Sequence, residues 1–260
     1  MSEMATQEYS TIEQMAVAAS KLIEDGTTVL TGTGLPIIAV ALAMKTHAPN
    51  LTVVFEAGGI APRIPVLPIS VGDSRSSYKA IMATSLDYVM GSAQQGYIDY
   101  GMLGGAQMDV YGNLNTTVIG PHDKPKARLP GSGGANDLGS LCWRTIIIMQ
   151  QDTRKFVNKL DFLTTPGYLE GPGSREEMGL PAGTGPYRVV TQLGVFGFDE
   201  ITKKVMLLSL HPGVAVEEVN KNSSFEIKIP AQIDRTAAPT AEELRLLRDE
   251  IDPAKFILRK

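Results

Sequence analysis

Cysteine is almost absent from this chain. Cys142 is the single one, so no intrachain disulfide forms and a cysteine-cluster metal site is excluded. Histidine is sparse as well. His47, His122 and His211 stand far apart with no triad-like context. Ser132 therefore lacks a partner base, which argues against serine hydrolysis. No apolar run approaches the ~18 residues that suggest a membrane span. The first ten residues are polar and acidic, without a basic region or an apolar core, so no signal peptide is expected. Positive charge is not in excess either. The net charge of −4 gives no footprint for nucleic acid or an anionic membrane. A cytoplasmic location is the expectation.

What remains is an ordinary globular composition. The 260 residues are 43% hydrophobic and 20% charged, enough for a sizeable buried core. No linker, low-complexity segment or internal repeat interrupts the chain, and one α/β domain over 1–260 is the simplest reading. Residues 10–24 carry apolar side chains at helical spacing, with Ser10 or Thr11 as a cap and Gly26 beyond the end. Thr27–Thr31 reads as a strand. Gly32-Thr33-Gly34-Leu35-Pro36 is a turn into a helix running to about residue 46, with Pro36 suited to its first turn. Leu51–Phe55 is the next strand. Met102–Ala106 and Arg144–Met149 follow as strands, with a short helix or turn at 136–142. Strand order and continuous apolar runs argue for an open, mainly parallel sheet with flanking helices. The closely spaced strands at 187–191, 195–198 and 203–210 argue for a mixed C-terminal section. Segments 216–220 and 241–250 read as helices.

Two features point to chemistry. The first is Glu56, a carboxylate where the apolar run Leu51–Phe55 breaks into Ala57-Gly58-Gly59. A buried strand has no use for a lone carboxylate, so it is either ion-paired, with Arg63 or Arg75 in view, or functional. Glutamate is ionised at neutral pH and can act as a nucleophile with no general base. The second is Gly131-Ser132-Gly133-Gly134-Ala135-Asn136, whose glycines let backbone N–H groups approach a ligand closely. Lys124, Lys126 and Arg128 lie just upstream, as a solvated face or as an aid to a polyphosphate. His122 lies in the same stretch, while His47 and His211 read as surface or turn residues. A carboxylate nucleophile beside an oxyanion-binding loop is a site for acyl chemistry.

Other motifs are weaker. Gly32-Thr33-Gly34 lacks the third glycine of a dinucleotide fingerprint and reads as a tight turn facing a ligand at most. Gln107 and Asn115 flank Tyr111-Gly112-Asn113, either fixing a polar substrate group or building a turn. Cys142 precedes an apolar strand and reads as core packing.

Taken together, the ordered motifs resemble the β subunits of class I coenzyme A transferases, in pattern the glutaconate branch. They are Gly32–Pro36, Val54–Gly58, Gly104–Asn113, Gly131–Asn136, Val189–Asp199 and Leu210–Glu226, spanning nearly the whole chain. The resemblance implies that Glu56 is the nucleophile and that Gly133 and Gly134 supply the oxyanion donors. It implies that Gly131, Ser132, Asn136, Gly104 and Gly105 face coenzyme A. It also implies a coenzyme A thioester as substrate, no permanently bound cofactor or metal, and a homologous α subunit in an (αβ)n assembly. Ala57 departs from the family pattern, where Ser or Asn usually follows the glutamate, and so lacks a side-chain contact beside the nucleophile. For a dicarboxylic acid, Arg63, Arg75 and Arg175 are candidate clamps. Ring hydrolysis or decarboxylation on the same scaffold, and a non-catalytic partner subunit, are the competing expectations.

Overall fold

The structure, a computed structural model, describes residues 8–258. In chain order the first half forms α1 (Thr11–Ser20), β1 (Thr28–Thr31), α2 (Leu35–Lys45), β2 (Thr52–Val54), β3 (Gly59–Ile60), β4 (Met82–Ala83), α3 (Leu86–Gln94) and β5 (Tyr100–Leu103). Two small hairpins follow, β6 (Gln107–Met108) with β7 (Leu114–Asn115), and β8 (Val118–Ile119) with β9 (Ala127–Arg128). Next come α4 (Ala135–Leu141), β10 (Arg144–Ile148), α5 (Ser174–Glu177), β11 (Pro186–Val190), β12 (Gly194–Phe198) and β13 (Val205–Leu210). The chain ends through α6 (Glu217–Lys221), β14 (Asp234–Arg235) and α7 (Ala241–Arg245), which widens into a π-helical turn over Leu246–Ile251.

Ten strands join one sheet in the order β14-β13-β12-β11-β10-β5-β1-β2-β3-β4. Its centre, β2-β1-β5-β10-β11, is parallel. The section from β11 to β13 is antiparallel, and β14 pairs parallel with β13, as the mixed C-terminal reading implied. The opposite edge, β2-β3-β4, is antiparallel too, which the sequence did not announce.

The continuous apolar runs have a direct cause. Successive side chains of a strand point to opposite faces, and both faces of this sheet are covered. Val29, Val53, Ile146 and Val190 enter one apolar layer, under α1, α2 and the 246–251 turn. Their neighbours Leu30, Val54, Ile147 and Val189 enter the other, under α3 and α4. Helix α2 is apolar all round because it is enclosed: Ile37, Ile38, Ala39, Val40, Leu42 and Ala43 are fully buried.

Three boundaries differ from the sequence reading. Strand β5 ends at Leu103, so Gly104–Ala106 already belongs to the loop beyond it. The first helix stops at Ser20, and a turn through Leu22 and Ile23 leads the chain into β1. The C-terminal helix starts on a Thr240–Glu243 capping box but leaves α geometry after Arg245. The wider turn places Leu246, Leu247 and Ile251 in the core.

Candidate active site

Strand β1 lies between β2 and β5, and the chain leaves it first towards β2 and later returns on its other side. A crevice opens at such a reversal, beyond the carboxyl ends of the strands. Here it is a cleft of about 650 Å³. The 32–34 turn after β1 lines it, as do Glu56 after β2, Gly104–Ala106 after β5, and the loop 129–135 before α4.

Glu56 sits just past β2, half-buried, rather than inside a strand. The turn that presents it closes through the N–H of Gly58 donating to the Phe55 carbonyl and the N–H of Phe55 donating to the Gly59 carbonyl, both at 2.9 Å. Gly58 adopts φ +112°, and a Cβ there would run into the Thr84 carbonyl. Only glycine fits this turn.

The facing loop is pinned to Thr116. The Thr116 hydroxyl donates to the Gly131 carbonyl at 2.8 Å, and the Gly131 N–H donates to the Thr116 carbonyl at 2.9 Å. From this anchor the chain passes through Gly133 to Gly134, whose N–H donates to Oε2 of Glu56 at 3.1 Å. A Cβ on Gly134 would collide with that same oxygen and with Cε of Met90 on α3. Close approach of backbone to carboxylate is therefore what the glycine permits.

The alternative of a structural ion pair does not hold for Glu56. Arg63 is exposed, and Arg75 is engaged by Asp73, with Nε donating to Oδ1 at 2.9 Å. That guanidinium holds the Asp73 carboxyl well below the usual carboxylate range. Glu56 takes part in none of the ion pairs among the described residues.

Glu56, Gly131, Ser132, Gly133, Gly134, Gly104 and Gly105 thus share one cleft. Asn136 does not face it. It lines an adjoining cleft of about 500 Å³ with Thr117, Phe162, Leu163, Thr164 and Pro166, and Gly131 and Ser132 form the wall common to both.

Several other candidates fall away from the site. His122 is exposed and stacks on Phe162 with ring centroids 5.5 Å apart. His211 is buried, contrary to the surface reading, and its Nε2 lies 2.9 Å from the Thr191 carbonyl. Gln107 and Asn115 are buried and serve their hairpin. Asn115 Nδ2 donates to Gln107 Oε1 at 2.7 Å, and Gln107 Nε2 donates to Asp161 at 2.9 Å. Arg175 is 2% exposed and donates to the carbonyls of Gly167 and Gly139 and to the Thr184 hydroxyl. It fastens the end of α4 to the 166–167 and 184 segments and is no substrate clamp. Cys142 is buried in the core, and burial pushes its thiol up to about 12. Sequence reasoning missed Met90, because α3 itself was not read.

This doubly covered α/β sheet has known counterparts. Residues 12–222 match the family model described as Coenzyme A transferase, and the chain belongs to that family. It is 40% identical over 247 residues, 92% of each chain, to the B subunit of 3-oxoadipate CoA-transferase from Pseudomonas knackmussii. It is 37% identical over 257 residues, 96% of each chain, to the B subunit of glutaconate CoA-transferase from Acidaminococcus fermentans. The crystal structure of the glutaconate enzyme superposes with a TM-score of 0.92 at 36% identity, covering 97% of this chain and 98% of that one. The crystal structure of the decarboxylase AibA/AibB superposes with a TM-score of 0.81 at 26% identity, covering 96% of this chain and 97% of that one.

Proposed function

We propose that this chain is the B-type subunit of a heteromeric acyl-CoA:carboxylate CoA-transferase, with Glu56 as its nucleophile. The observation that carries the reading is a carboxylate in a mainly apolar cleft, uncompensated by any ion pair among the described residues and held by one loop N–H. The names of the two relatives, each a B subunit, support a second, homologous chain that completes the cleft.

In this reading Oε1 of Glu56 attacks the thioester carbonyl of an acyl-CoA. The coenzyme A thiolate leaves, giving an acyl-glutamyl anhydride. The thiolate then attacks the Glu56 carboxyl carbon and expels the free acid, leaving a glutamyl-CoA thioester. An acceptor carboxylate attacks that carbon and runs the steps in reverse, so the kinetics are ping-pong. Oε2 gains negative charge each time the Glu56 carboxyl carbon is attacked, and the Gly134 N–H already donates to it. The next loop amide, at Gly133, serves the oxygen of the acyl carbonyl. Coenzyme A, entering as substrate, runs along the wall of Gly131 and Ser132 towards Asn136, with Gly104 and Gly105 across the cleft. Binding energy from this remote arm lowers the barrier at the thioester.

The test is peptide mass spectrometry on the complex with its partner chain, after acyl-CoA and hydroxylamine or borohydride trapping. Modification of Glu56 that depends on acyl-CoA is expected. Turnover with an unmodified Glu56 would move the reading to decarboxylation, which the likeness to AibA/AibB favours, or to ring hydrolysis on the same scaffold. An absolute requirement for an acceptor acid separates transfer from both.

A further inference from the structure

Glu56 is the sole charged residue on the cleft wall among the described residues. The rest is aliphatic, glycine or alanine, apart from the prolines and the hydroxyls of Thr31, Thr33, Thr116 and Ser132. No lysine, arginine or histidine of this wall is placed to read a substrate by charge. Hydroxyls are the side-chain donors left, and most are engaged. Thr31 Oγ1 donates to the Gly32 carbonyl at 3.0 Å, and Thr116 Oγ1 donates to the Gly131 carbonyl at 2.8 Å. Ser132 Oγ accepts the Asn136 N–H at 3.2 Å and lies in the wall shared with the second cleft. The half-buried Thr33 hydroxyl makes no hydrogen bond among the described residues.

Its position is central. Leu30 pairs with Val54 and Thr31 with Met102, so the turn after β1 emerges between the strand that leads to Glu56 and the strand that leads to Gly104. The Gly32 N–H donates to the Met102 carbonyl at 3.2 Å and ties the start of that turn to β5. Thr33 therefore stands in the floor of the cleft, flanked on one side by the nucleophile and on the other by the 104–106 loop.

We infer that Thr33 determines acyl specificity: its hydroxyl donates to a neutral acceptor oxygen, such as a keto group, on an acyl chain that otherwise lies against the aliphatic wall. A site built to hydrogen-bond an oxygen rejects the analogue lacking it, because the donor is then left unpaired. The inference rests on the proposal that the acyl group occupies the Glu56 cleft.

The test uses two unreactive thioethers, 3-oxobutyl-CoA and butyl-CoA, and calorimetric binding to the complex with its partner chain. Thr33→Val is isosteric and replaces the hydroxyl, donor and acceptor together, with a methyl. It should weaken 3-oxobutyl-CoA by about three- to tenfold, the scale of one neutral hydrogen bond, and leave butyl-CoA within twofold. Thr33→Ser should restore the keto preference. An equal effect on both ligands, no effect on either, or no binding of either to the wild type overturns the assignment. Acyl-CoA labelling of Glu56 is scored separately. Labelling that persists while Thr33→Val fails to discriminate removes the specificity role alone. Discrimination without labelling removes the covalent mechanism alone.

Discussion

The N–H of Gly134 donates to Oε2 of Glu56 at 3.1 Å, across 78 residues of sequence. One group comes from the turn after β2 and the other from the loop before α4, and both are held by glycine geometry. This contact orients the carboxylate through Oε2 and leaves Oε1 without a hydrogen bond among the described residues.

Gly134→Ala forces that contact apart, since the new methyl meets Glu56 Oε2 and Met90 Cε. Transferase turnover should fall by about 10²-fold or more, the cost of losing one oxyanion donor. Circular dichroism and the unfolding midpoint of the complex check that the sheet survives, because the collision lies at the cleft rather than in either core.

Gly58→Ala should act on stability as well. The residue needs φ +112° and its Cβ would press on the Thr84 carbonyl. Backbone strain of this kind costs about 1–3 kcal/mol. Urea unfolding measures it, and Glu56 labelling should weaken in parallel because the turn presents that side chain.

Arg175→Met leaves buried carbonyls at Gly167 and Gly139 without their charged donor. Hydrogen bonds to a charged group contribute about 1.5–3 kcal/mol each, so a loss of at least ~3 kcal/mol is expected in denaturant unfolding. At temperatures where the variant is folded, the KM for the acid should stay within twofold, since Arg175 does not reach the cleft.

Acid should destabilise the fold through His211. Burial lowers the pKa of this imidazole below its ordinary 6.5, against the opposing effect of the hydrogen bond to Thr191. The unfolded chain then takes up the proton first. The His211 contribution is complete above the ordinary value and is lost as pH falls through 6.5 towards the lowered folded value, at up to about 1.4 kcal/mol per pH unit. His211→Gln should flatten the pH dependence of the unfolding free energy between pH 7 and 5.

Cys142 should resist modification. Its thiol is raised to about 12 by burial, so almost no thiolate exists at pH 8. A maleimide assay should read no reactive thiol until denaturant unfolds the chain.

Much of the fold was legible because a strand covered on both faces is apolar along its run, as in Ile146–Ile148 of β10. Glu56 stood out against such a run, and Gly131–Gly134 by composition. Helix α3 went unread although Leu86, Val89, Met90 and Ala93 stand at helical spacing, because only Val89 and Ala93 of this short stretch are buried and Gly91 interrupts it. The two-residue strands β3, β4 and β6 to β9 exist through pairing with neighbouring strands and are too short to carry a periodicity of their own. The sequence does not show that Asn136, expected to face coenzyme A, lines a second cleft beside that of Glu56. Helix α4 begins at Ala135, and its first turn carries Asn136 to the other side of the loop.

The two apolar layers stand in different relations to the site. The layer of α1 and α2 takes no direct hold on Glu56 or Gly134, whereas the opposite layer includes α3, which brings Met90 to Gly134, and α4, which carries the loop itself. Repacking of α3 or of the loop before α4 therefore reaches the Glu56–Gly134 contact directly, whereas a change in the core of the α1–α2 layer reaches it through the sheet. Divergent reactions on this architecture should differ most in the segments equivalent to 61–98 and 104–141, and least in the α1–α2 slab.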